Sequence, residues 1–162
     1  MGKINLGSDA AAARRERESE LRNTLRSLCD VALAAGPGTP AQFALGPAVH
    51  RLAAVMPLPV LVDVEELPLA PAVASTAYAT ICEALGNVVG HAGARQATVT
   101  VRRHGPTVQV VVADDGAGGA GPVLGGGIVT LAARAAVLGG LLHVDSPSGS
   151  GTHLALELPS GA

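Results

Sequence analysis

The chain has 162 residues, and its formal net charge of −2, with 15% charged residues, excludes the basic character of proteins that bind nucleic acid or anionic membranes through charge. Hydrophobic residues make up 48% of the sequence and aromatic residues only 1%, so Val, Leu, Ile and Ala have to form the core. This length suits one domain with a real core and one additional helix.

The absence of targeting and paired-cysteine motifs predicts the location of the chain and the redox state of its cysteines. It shows no signal peptide and no run of about 18 apolar residues, so we expect a cytoplasmic chain, with any membrane anchor in a longer parent protein. The two cysteines, Cys29 and Cys82, form no paired-cysteine motif, and two reduced thiols are expected.

The N-terminal part predicts one long helix. Residues 1–9 carry no pattern and are expected to be a disordered lead or an expression remnant. Residues 10–33 are rich in Ala, Arg and Glu, which favour helix, and then carry a narrow apolar seam. The seam needs a partner, either the rest of the domain or a second copy of the chain, and its spacing does not decide between them. Its members are Leu21, Leu25 and Leu28.

After a Gly/Pro linker at residues 36–40, helices and strands alternate. Short turns separate the later strands, so their pairing is expected to be mostly antiparallel. We therefore predict an α/β (α+β) two-layer sandwich with a mixed sheet and helices on one face, preceded by an N-terminal helix. The predicted elements are helices over 41–55, 71–92 and 128–138 and strands over 60–65, 97–102, 108–114, 142–144 and 154–158.

One helix carries an unusual polar stripe. Glu83, Asn87 and His91 follow each other at i, i+4 and i+8, so they share one helix face. An amide oxygen such as that of Asn87 suits Mg²⁺, which keeps several waters and borrows the rest of its shell from phosphates. The alternative is an ordinary polar helix face. The opposite, apolar stripe consists of Tyr78, Ile81, Leu85 and Val88.

An Asp-x-Gly-x-Gly pattern follows an apolar strand. Asp114 can accept a hydrogen bond from the amine of adenine, and Gly116 and Gly118 let the backbone approach a flat base. The alternative is a simple turn. Asp114 fits the role better than its neighbour Asp115 because Asp114 gives the required spacing.

Two further glycine-rich segments complete the set. Residues 125–127 are three glycines ahead of a helix, where backbone N–H groups can hold phosphates, although a flexible loop is the stronger interpretation of this segment in isolation. The segment 148–152 enters the last strand and reads first as a turn, but Thr152 can support Asp114 or a water beside it.

The order of these four patterns resembles the ATP-binding domain shared by gyrase, Hsp90, histidine kinases and MutL, in particular sensor histidine kinases of the nitrate-sensor and desaturase-sensor type. The resemblance covers residues 45–159 and implies a Bergerat-type ATPase fold. The segments that carry it are CEALGNVVGHAGA (N box), VADDGAGG (first glycine box), GGGIVTLAARAAVLGGLLHVDS (second glycine box) and SGSGTHLALELP (closing segment).

The resemblance implies roles for these residues around ATP and Mg²⁺. Asn87 would ligate the metal, Glu83 would assist phosphoryl transfer, and His91 would lie near the lid. Asp114 would bind the adenine amine. The remaining implied contacts are Gly116 and Gly118 beside the base, Gly125 and Gly127 beside the phosphates, and Thr152 on the adenine side.

The sequence departs from the family pattern at three points. Gly90 stands where a basic residue is frequent, and residues 119–124 form a short, uncharged lid, which implies weak nucleotide affinity. None of the five histidines precedes an acidic residue, so the phosphoacceptor motif is absent.

The resulting hypothesis is that residues 41–160 are the ATP-binding catalytic domain of a two-component sensor histidine kinase, and that residues 10–35 resemble the end of its dimerisation helix. The domain would transfer the γ-phosphoryl group of Mg-ATP to a histidine on a segment absent from this chain. Implied partners are a phosphoacceptor domain in cis or in trans, a response regulator, and a second copy through the N-terminal helix. The alternatives are an anti-sigma-factor serine kinase of the same fold and a degenerate, non-catalytic interaction module.

Overall fold

The computed structural model describes residues 6–34, 44–91, 93–119 and 126–161. These residues form four helices and five strands. In chain order they are α1 (Leu6–Ala34), α2 (Leu45–Ala54), β1 (Val60–Val64), α3 (Pro71–His91), β2 (Ala97–His104), β3 (Thr107–Asp114), α4 (Gly126–Val137), β4 (Leu141–Asp145) and β5 (Thr152–Pro159).

The five strands form one mixed sheet in the order β1-β2-β3-β5-β4. Only β1 and β2 pair in parallel among the described strands, because α3 crosses over between them. The β2–β3, β3–β5 and β4–β5 pairs are antiparallel. The predicted mixed, mostly antiparallel sheet is therefore confirmed.

The core lies between one face of this sheet and the helices. Alternate residues of the central strands are fully buried, among them Val99, Val110 and Leu156. Each such aliphatic side chain contributes about 1.5–3 kcal/mol by its removal from water. They pack against the apolar stripe of α3, whose predicted members, Tyr78, Ile81, Leu85 and Val88, are all buried.

Helix α1 packs on its own domain. It begins at Leu6, so residues 6–9, in which the sequence shows no pattern, are helical. Leu25 is only 1% exposed and joins the common core, whereas Leu28 is 44% exposed. The apolar seam thus finds a partner within the chain, and its last leucine lies on the outer surface. None of the described helices is long and apolar enough to span a membrane.

The expectation of two reduced thiols is wrong for this structure. Cys29 of α1 and Cys82 of α3 form a disulfide, with their Cα atoms 6.2 Å apart. The two cysteines are separated by 53 residues of sequence, so no local spacing signals the bond. The packing of α1 along α3 brings them together.

Predicted boundaries differ slightly from those observed. Helix α4 starts at Gly126, two residues before the predicted start, so Gly127 belongs to its first turn. Helix α2 starts at Leu45, and the predicted positions 41–43 lie outside the described residues.

Candidate functional site

The first two residues of the polar stripe of α3 line a cavity between α1, α3 and α4. Glu83 and Asn87, one helical turn apart, both line this cavity, which has a volume of about 460 Å³. That volume falls in the range of small-molecule sites, about 300–1,000 Å³. The structure describes His91 only as the last backbone position of α3, so the predicted role of its side chain lies outside the described residues.

The first turn of α4 lies directly against Glu83. A Cβ atom at Gly127 would overlap the Glu83 carboxylate, with its Cδ only 2.5 Å away. Glycine at this position therefore leaves room for the carboxylate between the two helices. Gly125, the other predicted phosphate-side glycine, lies outside the described residues.

Two arginines of α1 reach the same cavity. Arg26 Nη2 lies 3.6 Å from Glu83 Oε2, and Arg22 lines the cavity one turn earlier. Sequence reasoning missed both, because no spacing signal shows which face of α1 meets α3. Arg134 of α4 adds a third guanidinium to the lining.

Asp114 ends β3 at a second cluster of predicted residues. It pairs in register with Thr152 of β5, and the Gly116 N–H donates a 2.8 Å hydrogen bond to Asp114 Oδ1. Burial raises the pKa of the Asp114 carboxyl above its ordinary value, and hydrogen bonds from the backbone of Gly116 and Thr152 offset only part of this effect. The Thr152 hydroxyl lies 2.9 Å from the Ser146 hydroxyl.

The neighbouring Asp115 binds the backbone of a turn. Its exposed carboxylate accepts hydrogen bonds of 2.7 Å from the Arg95 N–H and 3.0 Å from the Gln96 N–H. These bonds lower the pKa of Asp115. Asp115 therefore fixes the turn that precedes β2. The carboxylate of Asp114 is not used in this turn.

The loop after Asp114 interlocks with the loop before Thr152. Gly118 and Gly151 both have positive φ angles, of 60° and 72°. A Cβ at Gly151 would meet the Asp114 carbonyl, and one at Gly118 would lie 2.7 Å from the Gly151 carbonyl oxygen. The Gly149 N–H donates a 2.6 Å hydrogen bond to the Ala117 carbonyl. The predicted glycines thus shape the backbone around Asp114.

The structure places the predicted residues in two groups. Glu83, Asn87 and Gly127 share the cavity, and Asp114 and Thr152 share the end of the sheet. The described residues that line the cavity do not include Asp114. Residues 120–125, between the two groups in the sequence, lie outside the described part of the chain.

A known protein resembles this chain in sequence. Sensor histidine kinase NarS of Mycobacterium tuberculosis is 34% identical over 134 aligned residues, which cover 76% of this chain and 31% of NarS. The chain is a relative of the histidine kinases. It spans about a third of the length of this curated relative. No family model matches the chain.

Solved histidine kinases share the fold. The histidine kinase domain of the blue-light activated histidine kinase EL346 from Erythrobacter litoralis matches with a TM-score of 0.64 at 20% identity, covering 88% of this chain and 75% of that one. Histidine kinase AdeS from Acinetobacter baumannii matches with a TM-score of 0.56 at 12% identity, covering 97% and 81%. This likeness confirms the predicted fold class.

Proposed function

We propose that this histidine kinase relative binds Mg-ATP and transfers the γ-phosphoryl group to a histidine carried by another segment, in the same parent polypeptide or in a partner. A response regulator would receive the group next. The observation that carries the proposal is the meeting of Glu83, Asn87 and Gly127 at one cavity, because these residues come from the two segments that resemble the N box and the second glycine box.

The residues around the cavity fit a magnesium polyphosphate. Asn87 offers an amide oxygen, and Mg²⁺ commonly takes one or two protein oxygens and completes its shell with water and phosphate. Gly126 and Gly127 open α4, whose N-terminal N–H groups favour anions. Magnesium would neutralise phosphate charge, and Glu83 would act on the proton of the attacking imidazole.

Asp114 is proposed to hold the base. Its half-buried carboxylate is an acceptor when ionised, and the adenine amine is a donor. Gly116 and Gly118 would leave room for the flat ring, and Thr152, which is the register partner of Asp114, would close that side.

Calorimetric titration with a non-hydrolysable ATP analogue and Mg²⁺ tests the proposal. We expect binding by the wild type and a loss of about ten-fold or more in Asp114→Asn, because a charged hydrogen-bond partner is replaced. Asp115→Asn is the matched control, since that carboxylate binds the turn at Arg95 and Gln96. No binding by the wild type at millimolar nucleotide would leave the alternative of a non-catalytic interaction module. Equal binding by wild type and Asp114→Asn would show that the base binds elsewhere.

A further inference from the structure

Arg22 lies across the glycines of α3. Successive contacts pair Arg22 with Gly86 and Gly90, Arg26 with Glu83, and Cys29 with Cys82, so α1 runs antiparallel along α3. This arrangement places one face of α1 along α3.

The guanidinium of Arg22 occupies the space that a side chain at Gly90 would fill. A Cβ at Gly90 would lie 2.6 Å from Arg22 Cζ and 2.7 Å from its Nε, whereas one at Gly86 would lie 3.8 Å from Cγ. The stem of Arg22 therefore follows Gly86, and its charged end rests over Gly90. Glycine inside a helix is less favourable than alanine, and at Gly90 it leaves the space that the end of Arg22 occupies.

This charge lies within the candidate site. Arg22 lines the cavity with Glu83 and Asn87, and Gly90 is less than one helical turn beyond Asn87. Arg26 is already close to the Glu83 carboxylate. A guanidinium forms paired, charge-assisted hydrogen bonds with phosphate oxygens, which makes arginine well suited to polyphosphates.

We propose that Arg22 is a phosphate-binding residue of the nucleotide site, so that α1 supplies the positive charge that α3 lacks at Gly90. The inference rests on the proposed function, because it assigns Arg22 to the polyphosphate of the same nucleotide. It makes α1 a part of the binding site as well as a helix of the core.

Three variants test the role of Arg22 in different ways. Arg22→Gln removes the charge, and Arg22→Lys restores it. Gly90→Ala keeps the charge but pushes aside the flexible end of Arg22, while alanine favours the helix. Arg14→Gln is the matched control, because Arg14 is an exposed arginine of α1 that pairs with Glu18.

The readout is the affinity for a non-hydrolysable ATP analogue with Mg²⁺, compared with that for adenosine, measured by calorimetry and by NMR titration. We expect Arg22→Gln and Gly90→Ala to lose affinity for the analogue by about ten-fold or more, with adenosine binding unchanged, since one charge-assisted contact is lost. Arg22→Lys should recover part of the loss. In the double variant Arg22→Gln/Gly90→Ala, the affinity for the analogue should be no lower than in Arg22→Gln alone.

Three results would overturn the inference. If Arg22→Gln and Gly90→Ala bind the analogue as the wild type does while Asp114→Asn does not, the nucleotide site stands without Arg22. If Arg22→Gln weakens adenosine and the analogue equally, Arg22 supports the structure and not the phosphate. If the wild type binds neither ligand, the proposed function and this inference fail together.

Discussion

The Cys29–Cys82 disulfide ties α1 to α3 at the residue next to Glu83. The bond therefore fixes the position of α1 beside the candidate site, where Arg26 approaches the Glu83 carboxylate. Disulfides persist in oxidising compartments, and in the cytoplasm they are usually transient or redox-sensing. The cytoplasmic location stays a prediction. The fraction of the Cys29–Cys82 pair that is oxidised in the cell is the property to measure together with that location.

Reduction of the disulfide should weaken the fold. A cross-link over 53 residues restricts the unfolded chain, and its loss is expected to lower the free energy of unfolding by about 2–4 kcal/mol. Urea denaturation with and without dithiothreitol measures this difference. The control is Cys29→Ala/Cys82→Ala, which should show no response to the reductant. Equal stability of the wild type in both conditions would contradict the prediction.

Glu83→Gln should separate binding from transfer. Glutamine keeps the size of the side chain but cannot accept the proton of an attacking imidazole, so we expect phosphoryl transfer to fall by about 100-fold or more. Affinity for Mg-ATP should change by no more than a few-fold. Transfer is measured to the phosphoacceptor segment of a related kinase, added in trans.

Glu157→Gln provides the control for that measurement, because Glu157 is an exposed carboxylate of β5 that contacts Gln109. A matching loss of transfer in Glu157→Gln, or full transfer by Glu83→Gln, would remove Glu83 from the proposed chemistry.

The two neighbouring aspartates, Asp114 and Asp115, should contribute to the pH dependence of folding stability with opposite signs. The pKa of Asp115 is lowered in the folded chain, so Asp115 contributes stability above its unfolded pKa and loses it as the pH falls through the folded pKa. Asp115→Asn should therefore be less stable than the wild type at neutral pH, and the difference should close on acidification. Thermal unfolding from neutral to acidic pH measures it.

Asp114 should behave in the reverse way. Its pKa is raised by burial, so the ionised form costs stability, and the favourable contribution exists below the unfolded pKa and disappears as the pH rises through the folded pKa. Asp114→Asn should therefore gain stability relative to the wild type at neutral pH. The same pH series would refute this if both variants shifted in one direction.

Gly151→Ala should damage the loop contact beside Asp114. Gly149 and Gly151 have similar positive φ angles, so alanine costs about 1 kcal/mol at either position for the backbone alone. A Cβ at Gly151 also meets the Asp114 backbone, whereas Gly149 has nothing within 4 Å. We expect Gly151→Ala to lose at least about 2 kcal/mol more than Gly149→Ala, measured by urea denaturation. Similar losses in the two variants would show that the loops are not tightly engaged.

Local patterns predicted most of the fold. Alternating valines defined β2 and β3, and the 3.6-residue period of Tyr78, Ile81 and Leu85 defined the buried face of α3. These signals are strong because one face of each element is buried and the other is not. The start of α1 at Leu6 was missed, because the residues before Ala10 show no amphipathic period.

Most contacts between distant segments could not be predicted from the sequence. The sequence analysis linked Thr152 to Asp114 as a supporting residue, and this role stays a prediction, while the structure makes the two residues register partners on neighbouring strands. The disulfide and the approach of Arg22 to Gly90 depend on the rotation of α1 about its own axis, which no local pattern encodes. The roles of Glu83 and Asn87 toward a nucleotide stay predictions until binding is measured.

The double attachment of α1 also limits how another helix can be fused ahead of this domain. Cys29–Cys82 and Arg26–Glu83 hold the rotational phase of α1, so any helix fused ahead of it inherits that phase. Each residue inserted at a helical junction turns the fused partner by about 100°, and insertions of about seven residues nearly restore the original orientation. The orientation of a helix fused ahead of α1 would thus repeat about every seven residues of junction length.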